Sequence, residues 1–439
     1  MPQSIASRSL RKIFKVIFRR KQKANRGSLE EDIELDDDAL LEQYEFVIRE
    51  YTQEEVCMGL ADMDFFHLLN MNPRREEDRG KLNGDAIIKL VQQNPSLADA
   101  KYEFVYGKYD FPWNSDCRKF RFPLHQALLM QAPDNVIDAL SSPHALDEKN
   151  ADTLAFHLAC RYDASMNVIR CLSEQQPDAI RKKGAEGELP LHISCNHYKP
   201  RLDLVKYLLK GFPDAIKEKD DNLRTPLHHA LSSYAPFNVI SLLLKKWHGA
   251  LKEQDKFGNF PLHMICHCMS PSVKTVSLIL KSYPAAIKGV ESQGNTPLQV
   301  ACEKGPLDVV LLLLDFWLRK KENRNRSSLQ TLEESTEKRY SKDVKKLIAY
   351  VSSFYKRDDE IANKTKYSKE IMTFCLDKKW WFGVKLMIDR YPNVAPKVLK
   401  STGVKTYAMP NFLFVIGKRC RLTTMWEVIR NQQELLSGV

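Results

Sequence analysis

The fold can be read from Thr225-Pro226-Leu227-His228-His229-Ala230, the fullest of six copies of one phrase. The other copies are Phe122-Pro123-Leu124-His125, Ala155-Phe156-His157, Leu189-Pro190-Leu191-His192, Phe260-Pro261-Leu262-His263 and Thr296-Pro297-Leu298-Gln299. From His125 to Gln299 the steps are 32, 35, 36, 35 and 36 residues. A period of this length predicts a stack of similar units, each burying its apolar face on the next.

One unit predicts a helix, a turn, a second helix and a polar loop. Thr225-Pro226 begins the first helix, because proline is pre-set for the first turn. Residues 232–236 have turn chemistry, and the apolar run from Val239 to Leu244 predicts the second helix. The polar stretch 254–259 then leads to the next unit.

This pattern resembles the ankyrin repeat family. The family phrase Thr-Pro-Leu-His-x-Ala is complete at 225–230 and carries Gln for His at 296–301. The long period is similar to that of the expanded ankyrin proteins of unicellular algae. The resemblance implies an all-α, helix-turn-helix solenoid in which one side chain per unit has a structural role at the loop backbone. These side chains are His125, His157, His192, His228, His263 and, in the last clear copy, Gln299.

Diverged copies extend the repeat at both ends. Residues 369–398 repeat the apolar helix and the aromatic-proline ending, and residues 410–436 are interpreted as a closing helical cap. At the front, residues 65–95 fit one more helix pair. We therefore expect about nine units between residue 61 and the C-terminus, the outer ones diverged.

Composition divides the chain into five segments. They are a basic amphipathic arm (1–27), an acidic segment with a leading helix (28–60), the ankyrin-like solenoid (61–318), a charged linker (319–346), and a helical extension with diverged terminal ankyrin-like units (347–439). The linker is assigned from a long polar run, which we expect to be partly disordered.

The basic arm holds nine Lys or Arg and no acid, against a net charge of +11 for the whole chain. Its apolar residues fall at helical spacing from Leu10 to Phe18. Residues 8–26 would therefore suit an anionic membrane surface or a mitochondrial transit segment, and 19–26 resemble a nuclear localisation cluster. An unstructured tail is the remaining alternative. The rest of the chain is nearly neutral, which argues against nucleic-acid binding.

An aromatic insertion at residues 101–119 interrupts the repeat. Alternating rings predict a strand, Gly107-Lys108 a tight turn, and further rings a returning strand. Such a hairpin could grip a partner, since Tyr and Trp dominate binding hot spots, or its rings could fold back over the core. The candidate partner contacts here are Tyr102, Phe104, Tyr106, Tyr109, Phe111 and Trp113.

The polar loop tips supply the other candidate contacts, which together with the first helices would form a concave partner surface. They are Asp221, Asn222, Lys256, Phe257, Ser292 and Gln293. The sequence thus predicts a non-enzymatic, monomeric scaffold or adaptor that binds another protein there. The alternative is an adaptor placed on a membrane surface by the basic arm.

Catalytic and metal chemistry are not indicated. The phrase histidines lie one per unit, about 10 Å apart, too far for a shared zinc. The dense cluster Cys266-His267-Cys268 includes a cysteine that we expect to be buried. No phosphate loop, nucleophile elbow or zinc-protease motif occurs, so we predict no enzyme activity, cofactor or metal. The sequence shows no secretory signal or membrane-spanning run, so the expected location is the cytoplasm, with nuclear or mitochondrial targeting left open.

Overall fold

The computed structural model describes residues 64–73, 75–104, 120–147, 154–334, 340–355 and 364–391. The chain forms two compact units, Met1–Phe65 and Phe66–Val439, and the repeats lie in the second. The predicted basic arm, acidic segment and closing cap lie outside the described residues.

Helix pairs at the predicted spacing build the second unit, which confirms the all-α, helix-turn-helix prediction. The first helices are Pro123–Leu129, Ala155–Arg161, Pro190–Cys195, Pro226–Ser232, Pro261–Cys266 and Pro297–Lys304. The second helices are Asp134–Leu140, Met166–Gln175, Leu202–Gly211, Phe237–Lys246, Val273–Ser282 and Leu307–Leu318. Each pair is named below after the histidine or glutamine of its phrase, from the His125 unit to the Gln299 unit.

The first helices form the interior of the stack. Each contacts the first helix of the next unit, from the His125 unit through to the Gln299 unit. An alanine two residues after the phrase histidine or glutamine is fully buried in four of them, which lets the helix backbones approach closely. These alanines are Ala127, Ala159, Ala230 and Ala301.

A 3₁₀ turn after the second helix explains much of the long period. Such turns occupy Pro177–Ile180, Pro213–Ile216, His248–Lys252 and Pro284–Lys288. Each buries an alanine followed by an isoleucine or a leucine, as Ala215 and Ile216 show. In these four units the extra residues therefore add apolar contacts and do not simply lengthen a loop.

The insertion begins and ends in a short strand pair. Tyr102–Glu103 pairs antiparallel with Phe120–Arg121, and Tyr102 lies opposite Arg121. The predicted turn at Gly107-Lys108 and the predicted returning strand fall within residues 105–119, outside the described residues. That part of the hairpin stays a prediction. Short helices Glu76–Arg79, Gly84–Gln93, Ser96–Asp99 and Pro143–Asp147 complete this end of the unit.

The segment 319–346, assigned above as a partly disordered charged linker, is helical over much of its length. It contains a 3₁₀ turn at Lys321–Asn323 and an α-helix at Arg326–Glu334, which contacts the next helix, Lys342–Ser353. Leu329 and Leu332 explain the difference, because they lie on one helix face and are 1% and 4% exposed. Two apolar residues in a polar run are enough to hold this helix in place.

The helical extension also contains a packed pair, Lys364–Asp377 and Trp381–Arg390. Trp380 joins it to the Gln299 unit, because its indole Nε1 donates to Asp315 Oδ1 at 2.7 Å. Cys375 in the first helix of this pair is buried, as is Cys195 in the first helix of the His192 unit. The count of nine units stays a prediction. Within the described ranges, no helix combines the length and the apolar character needed to cross a bilayer.

Candidate functional site: the row of loop tips

Three consecutive interunit loops are each held in one shape by an acidic side chain at the start of the loop. In the His228–His263 loop, Asp255 Oδ1 accepts the backbone N–H groups of Phe257 and Asn259, both at 2.9 Å. The backbone N–H of Asp255 also donates to Asn259 O at 3.1 Å. Asp220 and Glu291 do the same in the neighbouring loops. The tips are therefore well-defined turns.

Backbone hydrogen bonds also link each tip to the one before it. They run from Asp221 N to Glu186 O at 2.9 Å, from Lys256 N to Asn222 O at 2.9 Å, and from Ser292 N to Phe257 O at 2.8 Å. This ladder brings the six predicted tip residues into one continuous row. We call residues 221–222, 256–257 and 292–293 the tip row.

The tip row presents different chemistry at each position. Asp221 is exposed at one end, and Ser292 and Gln293 are exposed at the other. In the middle, Phe257 is 47% exposed and the Lys256 ammonium lies 5.2 Å from its ring centroid. An acid, a cation resting on an aromatic ring and two uncharged polar groups can together recognise a peptide by charge and by stacking.

The phrase histidines fix these loops to the first helices. His192 Nδ1 accepts the Leu189 N–H at 3.1 Å, which leaves Nε2 to donate to Glu218 O at 3.1 Å. His228 and His263 make the same pair of bonds, with Nε2 at 3.3 Å from Asn259 O and at 3.2 Å from Asn295 O. This is the loop contact that the family resemblance implied for these three residues.

Burial keeps four of the phrase histidines neutral, by lowering their pKa values. It lowers the pKa of His125 and of His192 to about 3, and that of His228 to about 4. The pKa of His263 is lowered for the same reason. Protonation would put a hydrogen on Nδ1, where His192, His228 and His263 accept a backbone N–H, so the charged form would break the contact.

The remaining phrase positions differ from this scheme. Neither ring nitrogen of His125 has a hydrogen-bond partner among the described residues, and residues 148–153 of the loop that follows lie outside them. The His157 ring lies against Gly184, where a Cβ would come within 3.0 Å of it. Gln299 accepts the Thr296 N–H through Oε1 at 2.8 Å, which is the bond that Nδ1 accepts in the His192, His228 and His263 units.

A buried polar network that the sequence did not predict lies behind the first tips. His229 Nε2 is 2.9 Å from Asp220 Oδ2, and Arg161 pairs with Glu188 at 3.0 Å. The His229 ring also meets the His192 ring edge-on, with centroids 5.5 Å apart. The network spans three units, and only the stacking brings its members together. His229 occupies the variable position of the phrase, so no spacing signal could have identified it.

This network has a donor set that a divalent metal could use. One ligand atom each of Glu188, Asp220 and His229 lies within 4.8 Å of the others. Each already has a protein partner, however. Burial raises the pKa of Glu188, with the Arg161 charge acting against it. Burial also opposes ionisation of Asp220, but the hydrogen bond from His229 is among the contacts that lower its pKa overall. We assign the cluster as a structural ion-pair network.

The aromatic insertion contributes core as well as surface. Phe104 was a candidate partner contact, but it is 1% exposed, which agrees with the alternative that the rings fold back over the core. Its ring stacks 5.7 Å from that of Phe66, and the Arg121 guanidinium lies 5.5 Å from its centroid. Tyr102 is half-buried. The other four candidates here, Tyr106, Tyr109, Phe111 and Trp113, lie outside the described residues.

The four cysteines that lie three residues after a phrase histidine or glutamine are buried side chains. Burial raises the pKa of three of them to about 12 and that of Cys266 further. In Cys266-His267-Cys268 both sulfurs are buried, whereas His267 is exposed. The three with a pKa of about 12 are Cys160, Cys195 and Cys302. None of the four would be an effective nucleophile near neutral pH.

Comparison with known proteins agrees with this architecture. A family model described as ankyrin repeats in three copies matches residues 156–252 and 235–325. No curated protein matches the chain. The match covers the His157 unit through to the Gln299 unit, whose stacked helix pairs and linked loops are described above. Residues 156–325 of this chain are ankyrin repeats.

Proposed function

We propose that this protein is a non-enzymatic scaffold or adaptor whose tip row binds a partner protein. Ankyrin repeats are generally protein–protein interaction modules, and proteins built from them are typically not enzymes. The observation that carries the proposal is the backbone ladder, which holds exposed charged, aromatic and polar side chains in one row. A pre-ordered row of this kind loses little conformational entropy on binding.

The first helices contribute less to this surface than the sequence led us to expect. Every residue of Pro190–Cys195 and of Pro261–Cys266 is buried. In Pro226–Ser232 only Ser232 is half-buried rather than buried. The proposed partner therefore contacts mainly the tips, and the order of the tip side chains along the row determines which partner binds.

Phe257→Ala tests the tip row directly. We expect it to weaken partner binding by roughly 10- to 100-fold, because truncating a central aromatic contact commonly costs 1–3 kcal/mol. Helicity should not change, since Phe257 is 47% exposed. The partner would be captured from native lysate with the wild-type protein, identified by mass spectrometry, and titrated against both proteins.

Phe237→Ala is the matched control, because Phe237 is the same residue type, is 46% exposed, and lies at the start of the helix Phe237–Lys246, away from the tips. It should leave the affinity of the same partner within about twofold, as expected for a contact outside the interface. Equal binding by wild-type and Phe257→Ala proteins would exclude Phe257 as a contact and would count against the tip row.

The membrane-surface adaptor is the second candidate, and it rests on the basic arm at residues 8–26. Nine cations around an apolar stripe would favour an anionic bilayer. A fluorescent fusion of residues 1–30 alone should then collect on membranes, on mitochondria or in the nucleus, according to which address the arm carries. A diffuse signal would remove the arm as a targeting element and leave the scaffold proposal intact.

A further inference from the structure

A second exposed edge lies at the other end of the first helices from the tip row. It consists of the inner turns, which join the first helix to the second within a unit, at residues 196–201, 233–236 and 267–272. Each exposes one large, largely apolar side chain. Tyr198 is 73% exposed, Tyr234 is 46% exposed and Met269 is 81% exposed. Three such residues in consecutive units form an exposed apolar patch, and such patches on a soluble domain commonly mark interaction sites.

Hydrogen bonds hold these turns in place. The Tyr234 hydroxyl accepts the Met269 N–H at 3.1 Å, and Ser233 Oγ donates to Cys195 O at 2.7 Å. Tyr234 itself has a φ of 59°, a left-handed conformation that is costly for a bulky side chain. The same turn position is Gln131 in the His125 unit and Asp163 in the His157 unit, so the turn does not require an aromatic ring.

A cavity of about 130 Å³ opens beside Tyr234, between the His228 and His263 units. Its lining runs from the exposed Tyr234 and Ser270 to the buried Ile240 and Ile265. A buried apolar cavity of about 150 Å³ is known to hold one benzene molecule. This cavity is therefore of a size for one aromatic ring entering from the turn.

The cavity also contains a buried hydroxyl that lacks a partner. Thr275 lines it and is 1% exposed, and its Oγ1 makes no hydrogen bond in the part of the chain that the structure describes. The Thr275 backbone N–H is by contrast satisfied by Ser272 Oγ. A buried hydroxyl left unpaired is unfavourable, so an occupant with one hydrogen-bonding group would be preferred over a purely apolar one.

Within the three inner turns themselves, the charged side chains are cationic. The three inner turns contain no Asp or Glu. Lys199 lies in the first turn and Lys274 follows the third, and both are exposed. Neither forms an ion pair within the described ranges, whereas Arg201 is paired with Asp163 and Asp203. Acidic groups of a partner would find two free cations here.

We propose that the inner-turn edge is a second docking site, for an acidic peptide segment of a partner that inserts one tyrosine ring into this cavity. The ring would pack between Ile240 and Ile265, its hydroxyl would bond to Thr275, and carboxylates beside it would face Lys199 and Lys274. The site is separate from the tip row and does not depend on it.

The test uses the full-length protein and a fluorescein-labelled peptide with a central tyrosine flanked by glutamates. We expect this peptide to bind at least tenfold tighter than the same peptide with alanine for tyrosine, or with lysines for glutamates. Equal binding of the tyrosine and alanine peptides, or no binding of either, would overturn the proposal.

Cavity variants locate the binding. Ala235→Leu should fill the cavity and abolish tyrosine-peptide binding, whereas Ala164→Leu, at the same turn position of the His157 unit, should leave it unchanged. Thr275→Val keeps the side-chain shape, so it should fold normally and weaken binding several-fold. Phe257→Ala, in the tip row, should have no effect on this peptide.

Two outcomes would contradict the site. One is full affinity in both Ala235→Leu and Thr275→Val. The other is a concentration-dependent dimer of the wild-type chain that Ala235→Leu abolishes, which would assign the cavity to a second copy of this protein. Thermal melting of each variant separates a filled cavity from a lost fold, and Thr275→Val decides the matter if Ala235→Leu does not fold.

Discussion

Leu243→Asp should unfold the His228 unit together with its neighbours. Leu243 is 1% exposed in the helix Phe237–Lys246, which packs on the second helices of the units before and after it. The substitution removes roughly 1.5–3 kcal/mol of apolar burial and adds an unpaired buried charge worth several more. That sum approaches the whole stability of about 5–15 kcal/mol expected for a folded domain.

The loss should spread, because a repeat in a stack is stable only through its neighbours. Far-UV circular dichroism should show a large loss of helix at room temperature, and partner capture should fail. Asn238→Asp introduces the same residue at an exposed position of the same helix, near its N-terminus, where a negative charge is favourable. It should melt close to the wild type. An unchanged melting temperature in Leu243→Asp would contradict the stacked-core description.

The helix pairs were predictable because their signals are local. Proline at the first helical position marks five of the six pairs, and an apolar run at helical spacing follows in all six. The polar loops were predictable for the same reason. The hydrogen bonds of His192, His228 and His263 were accessible only through the family resemblance, since composition does not reveal which backbone carbonyl a ring will meet.

The features that the sequence missed depend on contacts between distant residues. Arg161, Glu188 and His229 come from three units, and only the register of the stack places them together. For Phe104 the sequence left both a partner contact and core packing open, because nothing nearby in sequence covers it; the ring that does is Phe66, 38 positions away. The helix at Arg326–Glu334 was not predicted, because its two buried leucines are surrounded by charged and polar residues that indicate a linker.

Mild acid should destabilise the protein strongly. His125, His192 and His228 are fully buried and neutral, with pKa values of about 3, 3 and 4. In the unfolded chain a histidine has a pKa of about 6.5, so below that pH the unfolded state binds protons that the folded state does not. Stability therefore falls as pH decreases, by about 1.4 kcal/mol per histidine for each pH unit below 6.5.

Between about pH 7.5 and about pH 5.5 these three residues should together cost ~4 kcal/mol of unfolding free energy. His263, whose pKa is also lowered, acts in the same direction. Glu188 contributes to the pH dependence of stability with the opposite sign, because its pKa is raised in the folded state. Its contribution lies closer to the pH range in which carboxyl groups ordinarily titrate. Urea unfolding at the two pH values measures the difference, and a stability independent of pH would contradict the neutral, buried histidines.

His192→Gln assigns the effect to one position. Gln299 already occupies the equivalent place in its own unit and accepts the N–H of the residue that begins the helix, at 2.8 Å. A glutamine at 192 can therefore keep the contact to Leu189 without titrating. The variant should fold, and its loss of stability over the same interval should be smaller than that of the wild type by about 1.4 kcal/mol. If the unfolding free energy of the variant changed with pH as much as that of the wild type, His192 would not have a lowered pKa in the folded protein. Its bond to Glu218 could not then depend on a neutral ring.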